Sequence, residues 1–255
     1  MKSLWLLLFI CLPLQAQQLV LQDSVALKAD RFIGKDNYDN LYFIKNNSLH
    51  KRNNGATISY ADMRLGGIES VDIINPLKVL VYYADFNTVV LLDNTLNEIE
   101  RINFNEVEGF ANIDSVRMAN NNSLWVFNQD NQQLELYNYR SGKRTLISQP
   151  IAGNVISVDS SFNFYYLLTT EQVVSFNVYG SILEQYRNPN FEVIWQYKNS
   201  LIGLGADGKF YFNATLNEYF ELPADFSKNT QKQLQLNGDF LYIYDGDFVF
   251  TFKLT

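Results

Sequence analysis

Apolar residues in this chain come in short runs separated by polar turns. The clearest runs are LYFI at Leu41, LVYY at Leu80, LWVF at Leu124, YYLL at Tyr165, LIGL at Leu201 and LYIY at Leu241, spaced 36 to 44 residues apart. Polar turns such as DNYDN, NNNS, SSFNF, KNS and NGDF lead into them. A second run follows each one: SLHKR, VVLLD, LELYN, VVSFN, FYFNA and FVFTF. A third follows in five of the units: ATISY, EIERINF, KRTLIS, SILEQY and YFELP. Alternating or continuous apolar runs of this length, bounded by Asn, Asp and Gly, predict strands. Beyond the first residues no stretch keeps a 3.6-residue apolar period for three turns, so no helix is predicted.

The last 25 residues hold three strands, KQLQL, FLYIY and FVFTFKL, with turns at Asn237-Gly238 and Asp245-Gly246-Asp247. The unit is one strand short. Ser24 to Ala29 (SVALKA) supplies that strand from the other end of the chain. Self-similarity at about 40 residues is the mark of a repeat architecture. Six four-stranded units whose ends complete one sheet predict a closed ring, which removes bare edges. The fold class predicted is all-β: a six-bladed β-propeller of four-stranded blades, the last blade closed by an N-terminal strand. Residues 17–255 form one domain in this reading.

The turn-to-strand segments Asp36-Asn37-Tyr38-Asp39-Asn40-Leu41-Tyr42 and Asp159-Ser160-Ser161-Phe162-Asn163-Phe164-Tyr165 resemble the secreted six-bladed β-propellers with NHL- or YVTN-like blades. There, a turn of the Asp-x-x-Gly-Asn kind leads into a Leu-Tyr strand. The resemblance implies architecture across the chain after residue 16 and does not specify an activity. The Gly-His and Trp-Asp signatures of WD repeats are absent, as are regularly repeated blade tryptophans.

Residues 1–16 read as a secretory signal: Lys2, an apolar run from Leu4 to Leu14, then Gln15-Ala16. That run is too short to span a membrane. Cleavage after Ala16 removes Cys11, the only cysteine, and leaves no thiol chemistry. It also removes Lys2, making a chain of net charge −7 one unit more acidic. Without a basic stripe there is no footprint for nucleic acid. No motif implies a cofactor or a metal. An Asp-x-Asp-x-Asp-Gly calcium loop is absent.

Candidate chemistry lies where each first strand begins: Arg31, Glu69, Asp114, Asn154, Glu192 and Thr230. In a propeller these positions surround the channel mouth. Three carboxylates, an amide and a guanidinium converging there provide oxygen ligands for a divalent cation. The same ring serves a polar ligand, or a carboxylate pair for glycoside hydrolysis. A one-residue slip in register reverses every side chain. His50, the only histidine, is read as an outward, solvated strand residue with no Ser or Cys elbow nearby. The longer loops on the same face carry Arg64, Leu65, Val107, Phe110 and Phe191. Apolar groups on rigid loops serve recognition, or else pack back over the channel.

The functional expectation is an exported, non-enzymatic propeller that binds another protein in the bacterial cell envelope. Its place is the periplasm, with the outer-membrane periphery or the exterior as alternatives. A chain that stops at its closing strand, with no sorting domain after it, agrees with that. The alternative is a small propeller enzyme, of glycoside hydrolase or lactonase type, or a carbohydrate- or metal-binding protein using the acidic ring.

Overall fold

Alternation is the reason for the fold's layout. In a run such as Val79–Tyr83 odd and even side chains point to opposite faces of the strand, yet all five are buried. Both faces must therefore meet another sheet. The computed structural model describes residues 19–108, 112–198, 200–212, 216–227 and 233–255. It shows six antiparallel four-stranded sheets in a ring, a six-bladed β-propeller.

The chain enters as β1 (Leu19–Ala26). The first blade is β2 (Arg31–Lys35), β3 (Leu41–Lys45), β4 (Ser48–Asn53) and β5 (Ala56–Tyr60). The second is β6 (Ser70–Asp72), β7 (Val79–Tyr83), β8 (Thr88–Leu92) and β9 (Glu98–Asn103). The third is β10 (Ile113–Met118), β11 (Ser123–Asn128), β12 (Gln133–Asn138) and β13 (Lys143–Leu146). The fourth is β14 (Val155–Ser160), β15 (Phe164–Thr169), β16 (Gln172–Asn177) and β17 (Ile182–Arg187). The fifth is β18 (Phe191–Tyr197), β19 (Ser200–Gly205), β20 (Lys209–Phe212) and β21 (Tyr219–Glu221). The last holds β22 (Gln233–Asn237), β23 (Phe240–Tyr244) and β24 (Phe248–Leu254), with β1 on its outer edge.

The closing strand differs in extent from the Ser24–Ala29 expected. It starts earlier and ends at Ala26, pairing Leu19 with Leu254 and Ala26 with Phe248 across a bulge near Gln22. Leu27 instead packs between the last and first blades. A four-residue helix, Ala224–Ser227, and three short 3-10 turns also occur, where no helix was expected.

The core is divided into six layers, one between each pair of neighbouring blades. Tyr42, Ile44 and Leu49 of the first blade meet Val79, Val81 and Tyr83 of the second. Leu80 and Tyr82 point the other way and meet Val116, Leu124 and Val126 of the third. Equivalent layers join the remaining blades, including Tyr242, Tyr244 and Val249 of the last against Phe32, Leu41 and Phe43 of the first. The ring is thus closed by apolar packing as well as by strand pairing.

The turn that carries the family resemblance has a physical basis. Buried Asp36 accepts from the backbone N–H groups of Tyr38 and Asn40, and from Asn40 Nδ2 and the Tyr42 hydroxyl. Asp in such turns replaces a backbone acceptor. Asp159 opens the matching turn of the fourth blade but bonds elsewhere, as shown below.

Candidate functional site

The first strand of every blade faces a central channel. Its cavity has a volume of about 650 Å³. Ile33, Val158 and Leu234 line it together with charged residues such as Glu69, Asp72, Asp114, Arg117 and Asp159. Ile156 is on its wall and 43% exposed, so water reaches the interior.

The first strands do not run as simple alternating strands. Bulges occur at Ile33, Asp114, Ile156 and Glu192 in the first, third, fourth and fifth blades. A bulge puts two residues opposite one and re-aims a side chain. The expected ring at the mouth is therefore only partly assembled. Glu69 and Asp114 both line the channel, on neighbouring blades. Burial, then the nearby charge of Glu69, raises the carboxyl of Asp114 above its ordinary value. Arg31 is spent on structure: its guanidinium donates to the carbonyls of Ile68 (2.8 Å) and Glu69 (2.9 Å) on the next blade. Burial lowers its pKa. Asn154 is exposed, just before β14, where its carbonyl accepts from Thr170 N–H. Glu192 is an exposed bulge residue and is not part of the channel wall. Thr230 lies outside the described residues. Among the described residues no three His, Cys, Asp or Glu side chains gather to hold a metal ion.

The opposite end of the channel holds groups that the sequence reading passed over. Asp72, Arg117, Asp159 and Gln196 lie there. Their carboxylates join blades. Asp72 accepts from Met118 N–H of the next blade (2.8 Å) and from Ile74 N–H (3.0 Å). Asp159 accepts from Gln196 N–H of the next blade (2.6 Å) and from Ser160 N–H (2.9 Å). Gln235 of the last blade does the same for Lys35 N–H of the first (2.8 Å). Burial raises the Asp159 carboxyl to about 6, against the pull of these amides and of Arg117. Arg117 donates to the Val158 carbonyl at 3.3 Å. Among the described residues it has no ion-pair partner, and its buried Nε has no hydrogen-bond partner.

The loops on the acid-pair face also differ from expectation. Leu65 and Phe191 are not displayed; both are buried. Leu65 anchors a 3-10 turn, Met63–Leu65, in the layer between the first two blades. Phe191 is the first residue of β18, its ring lying over Gly203 and stacked on Tyr211 at 6.0 Å. Val107 is half-buried against the layer of the second and third blades. Phe110 lies outside the described residues. Arg64 is exposed and its guanidinium grips Asp62. The side chains actually displayed are Met63, 74% exposed, and Phe86, 49% exposed. Their two turns touch, since a Cβ on Gly66 would press on Asp85. No sequence pattern marks Met63, whereas Phe86 stands in the hairpin Asp85-Phe86-Asn87. His50 is half-buried and stacks flat on Phe43, ring centroids 5.0 Å apart, away from the channel wall.

No protein-family model and no curated protein matches the chain. Its fold is similar to that of several solved structures. A catalytically inactive His-to-Ala variant of virginiamycin B lyase from Staphylococcus aureus, with quinupristin, aligns at a TM-score of 0.65 and 12% identity, over 93% of this chain and 100% of that one. PorZ, an essential bacterial surface component of the type-IX secretion system of Porphyromonas gingivalis, aligns at 0.53 and 13% identity, over 87% of this chain and 32% of that one. A nidogen/laminin complex aligns at 0.52 and 13%, over 72% of this chain and 75% of that one. At these identities what the chain shares with them is the propeller fold.

Proposed function

We propose that this chain is an exported, non-enzymatic propeller that holds a protein partner in the bacterial cell envelope, on the face bearing Met63 and Phe86. The carrying observation is the pair of abutting turns that display these two apolar side chains. Exposed apolar groups with a charged rim mark contact surfaces, and the charged groups here are Arg64, Arg101 and Glu98. The turn is held rigidly. Buried Asp62 accepts from Arg64 N–H and Nε and from Arg101 Nη2. A preset loop loses little entropy on docking. The signal-like segment of residues 1–16 and the fold likeness to a secretion-system surface component agree with an envelope setting. The similar lyase is inactive when a histidine is replaced. Here the single histidine stacks on Phe43 outside the channel, which favours a non-enzymatic role over chemistry of that kind.

The test is capture of the native protein from its own cells by mild crosslinking, comparing wild type with Met63→Glu/Phe86→Glu. A stoichiometric envelope partner that the double variant loses at least tenfold, with its β-sheet spectrum unchanged, is the expected result. Equal capture by the variant overturns the assignment of this face.

A second reading follows from the channel itself. Glu69 and Asp114 face one cavity, where burial and the Glu69 charge raise the Asp114 carboxyl above its ordinary value. Such a pair suits a bound polar ligand or the division of acid and base roles in a glycosidase or lactonase. Screens of glycans and lactones against wild type and Glu69→Gln/Asp114→Asn test it. A ligand or turnover that the variant loses supports it, and no response in wild type removes it.

A further inference from the structure

The two faces of the disc differ in how their charges are matched. Consecutive strands run antiparallel, so the turns between them alternate between the faces. On the Met63 and Phe86 face three turns abut. Gly66 meets Asp85, beside Phe86. Asn105 Nδ2 donates to the Phe86 carbonyl (3.0 Å), and Phe104 N–H to the Asn87 carbonyl (2.9 Å). These bonds join the turn Phe104–Glu106 to the turn that displays Phe86. Glu69, Asp85, Glu106 and Glu108 are exposed on these turns or next to them. None of the four forms an ion pair among the described residues.

Neighbouring cations do not cancel this charge. Arg64 and Arg101 both grip Asp62, and Arg101 also grips Glu98. Arg144 grips Glu135. Arg31, on the Ile68 and Glu69 carbonyls, offsets one acid of the four. Glu69 also lines the channel with Asp114, and its charge adds to burial in raising the Asp114 carboxyl. On the opposite face the acids of the turns are matched. Asp39 meets Lys35 and Asp239 meets Lys198. Asp36 and Asp93 spend their oxygens on hydrogen bonds within their own turns. Glu218 alone is left without such a partner among the described residues.

An apolar pair surrounded by unmatched acids selects its partner by charge. Opposite charges across an interface speed encounter, and like charges exclude wrong partners. We propose that the partner docks on this face through a basic segment, an apolar side chain against Met63 and Phe86 and Lys or Arg side chains on Glu69, Asp85, Glu106 and Glu108. This rests on the protein-binding reading above and names the chemistry of the partner. A cationic side chain that reaches the channel mouth also relieves the repulsion between Glu69 and Asp114.

Fluorescence anisotropy of the chain from residue 17 onward, with labelled synthetic peptides, tests it. The probes are Lys-Phe-Lys-Leu-Lys-Phe-Lys, the same peptide with Glu for each Lys, and the same peptide with Ser for each apolar residue. The expected result is saturable binding of the first, at least tenfold tighter than of the other two. Glu69→Gln/Asp85→Asn/Glu106→Gln weakens it at least tenfold. Asp39→Asn/Glu218→Gln/Asp239→Asn, the same charge change on the opposite face, alters it less than twofold. Equal losses from the two variants mean that net charge alone attracts the peptide, and they overturn the inference. Equal binding of the acidic peptide, or binding of none, overturns it too. If capture in cells still depends on Met63 and Phe86 after such a result, the docking face stands and only its basic occupant falls. Loss of that dependence removes the docking face itself.

Discussion

Asp159 shows how one side chain changes role when the chain closes into a ring. In sequence it opens a turn like that of Asp36. In the fold its carboxylate leaves the turn and accepts Gln196 N–H from the next blade. Burial raises its pKa to about 6 from an ordinary 3.8. A folded pKa above the unfolded one means that the native state binds the proton more tightly. The contribution is complete below about pH 3.8 and is lost as pH rises through 6. At about 1.4 kcal/mol per pKa unit, that is of the order of 3 kcal/mol. Urea unfolding is therefore expected to give higher stability at pH 5 than at pH 7.5, with a smaller difference in Asp159→Asn. A stability that rises with pH across that interval contradicts this. Gly203 offers a second check. It interrupts the apolar run at Leu201, and a Cβ there would enter the Phe191 ring. Gly203→Ala is expected to cost about 1 to 3 kcal/mol, as overpacking does, read as a lower urea midpoint. The same contact explains why Phe191 looked like a loop residue. Its burial depends on a gap two strands' width of sequence away, which no local pattern reveals.

Second strands were the most legible elements. Runs marked at Leu41, Leu80, Leu124, Tyr165, Leu201 and Leu241 each fall within a residue of an observed strand start. They are buried on both faces, so composition alone identifies them. First strands were harder to read. Bulges at Asp114 and Glu192 break the alternation from which direction was inferred. Glu69 and Asp114 still meet in the channel, whereas Glu192 does not. These strands are also where side chains join blade to blade. Asp72 accepts two backbone amides, one from each of two blades. Asp72→Ala leaves both without that acceptor and is expected to cost about 1 to 3 kcal/mol, measured by urea unfolding at neutral pH. An unchanged midpoint would show that these bonds do not hold the blades together.

The whole molecule was legible because its period is global. Six repeats and a missing strand at one end predict closure from the other end, and β1 pairs along β24 as the closing strand. Its exact extent was obscured by the bulge near Gln22 and by its exposed, weakly patterned face. Removing residues 19–26 is expected to uncover β24 and lower the thermal midpoint by several degrees, with concentration-dependent aggregation through the bare edge. A monomer of unchanged midpoint would mean that apolar packing alone closes the ring. The contact face was less legible, because Leu65 packs inward while its neighbour Met63 is displayed. Only the three-dimensional turn separates the two.

Partner docking on the Met63 face is tested most directly by a photo-crosslinking residue placed in living cells at position 63, and separately at position 179. Tyr179 is 89% exposed in the turn between β16 and β17, on the opposite face, and is the matched control. The account predicts one dominant crosslinked envelope protein from position 63 and none of it from position 179. The same adduct from both positions, or from position 179 alone, would contradict it.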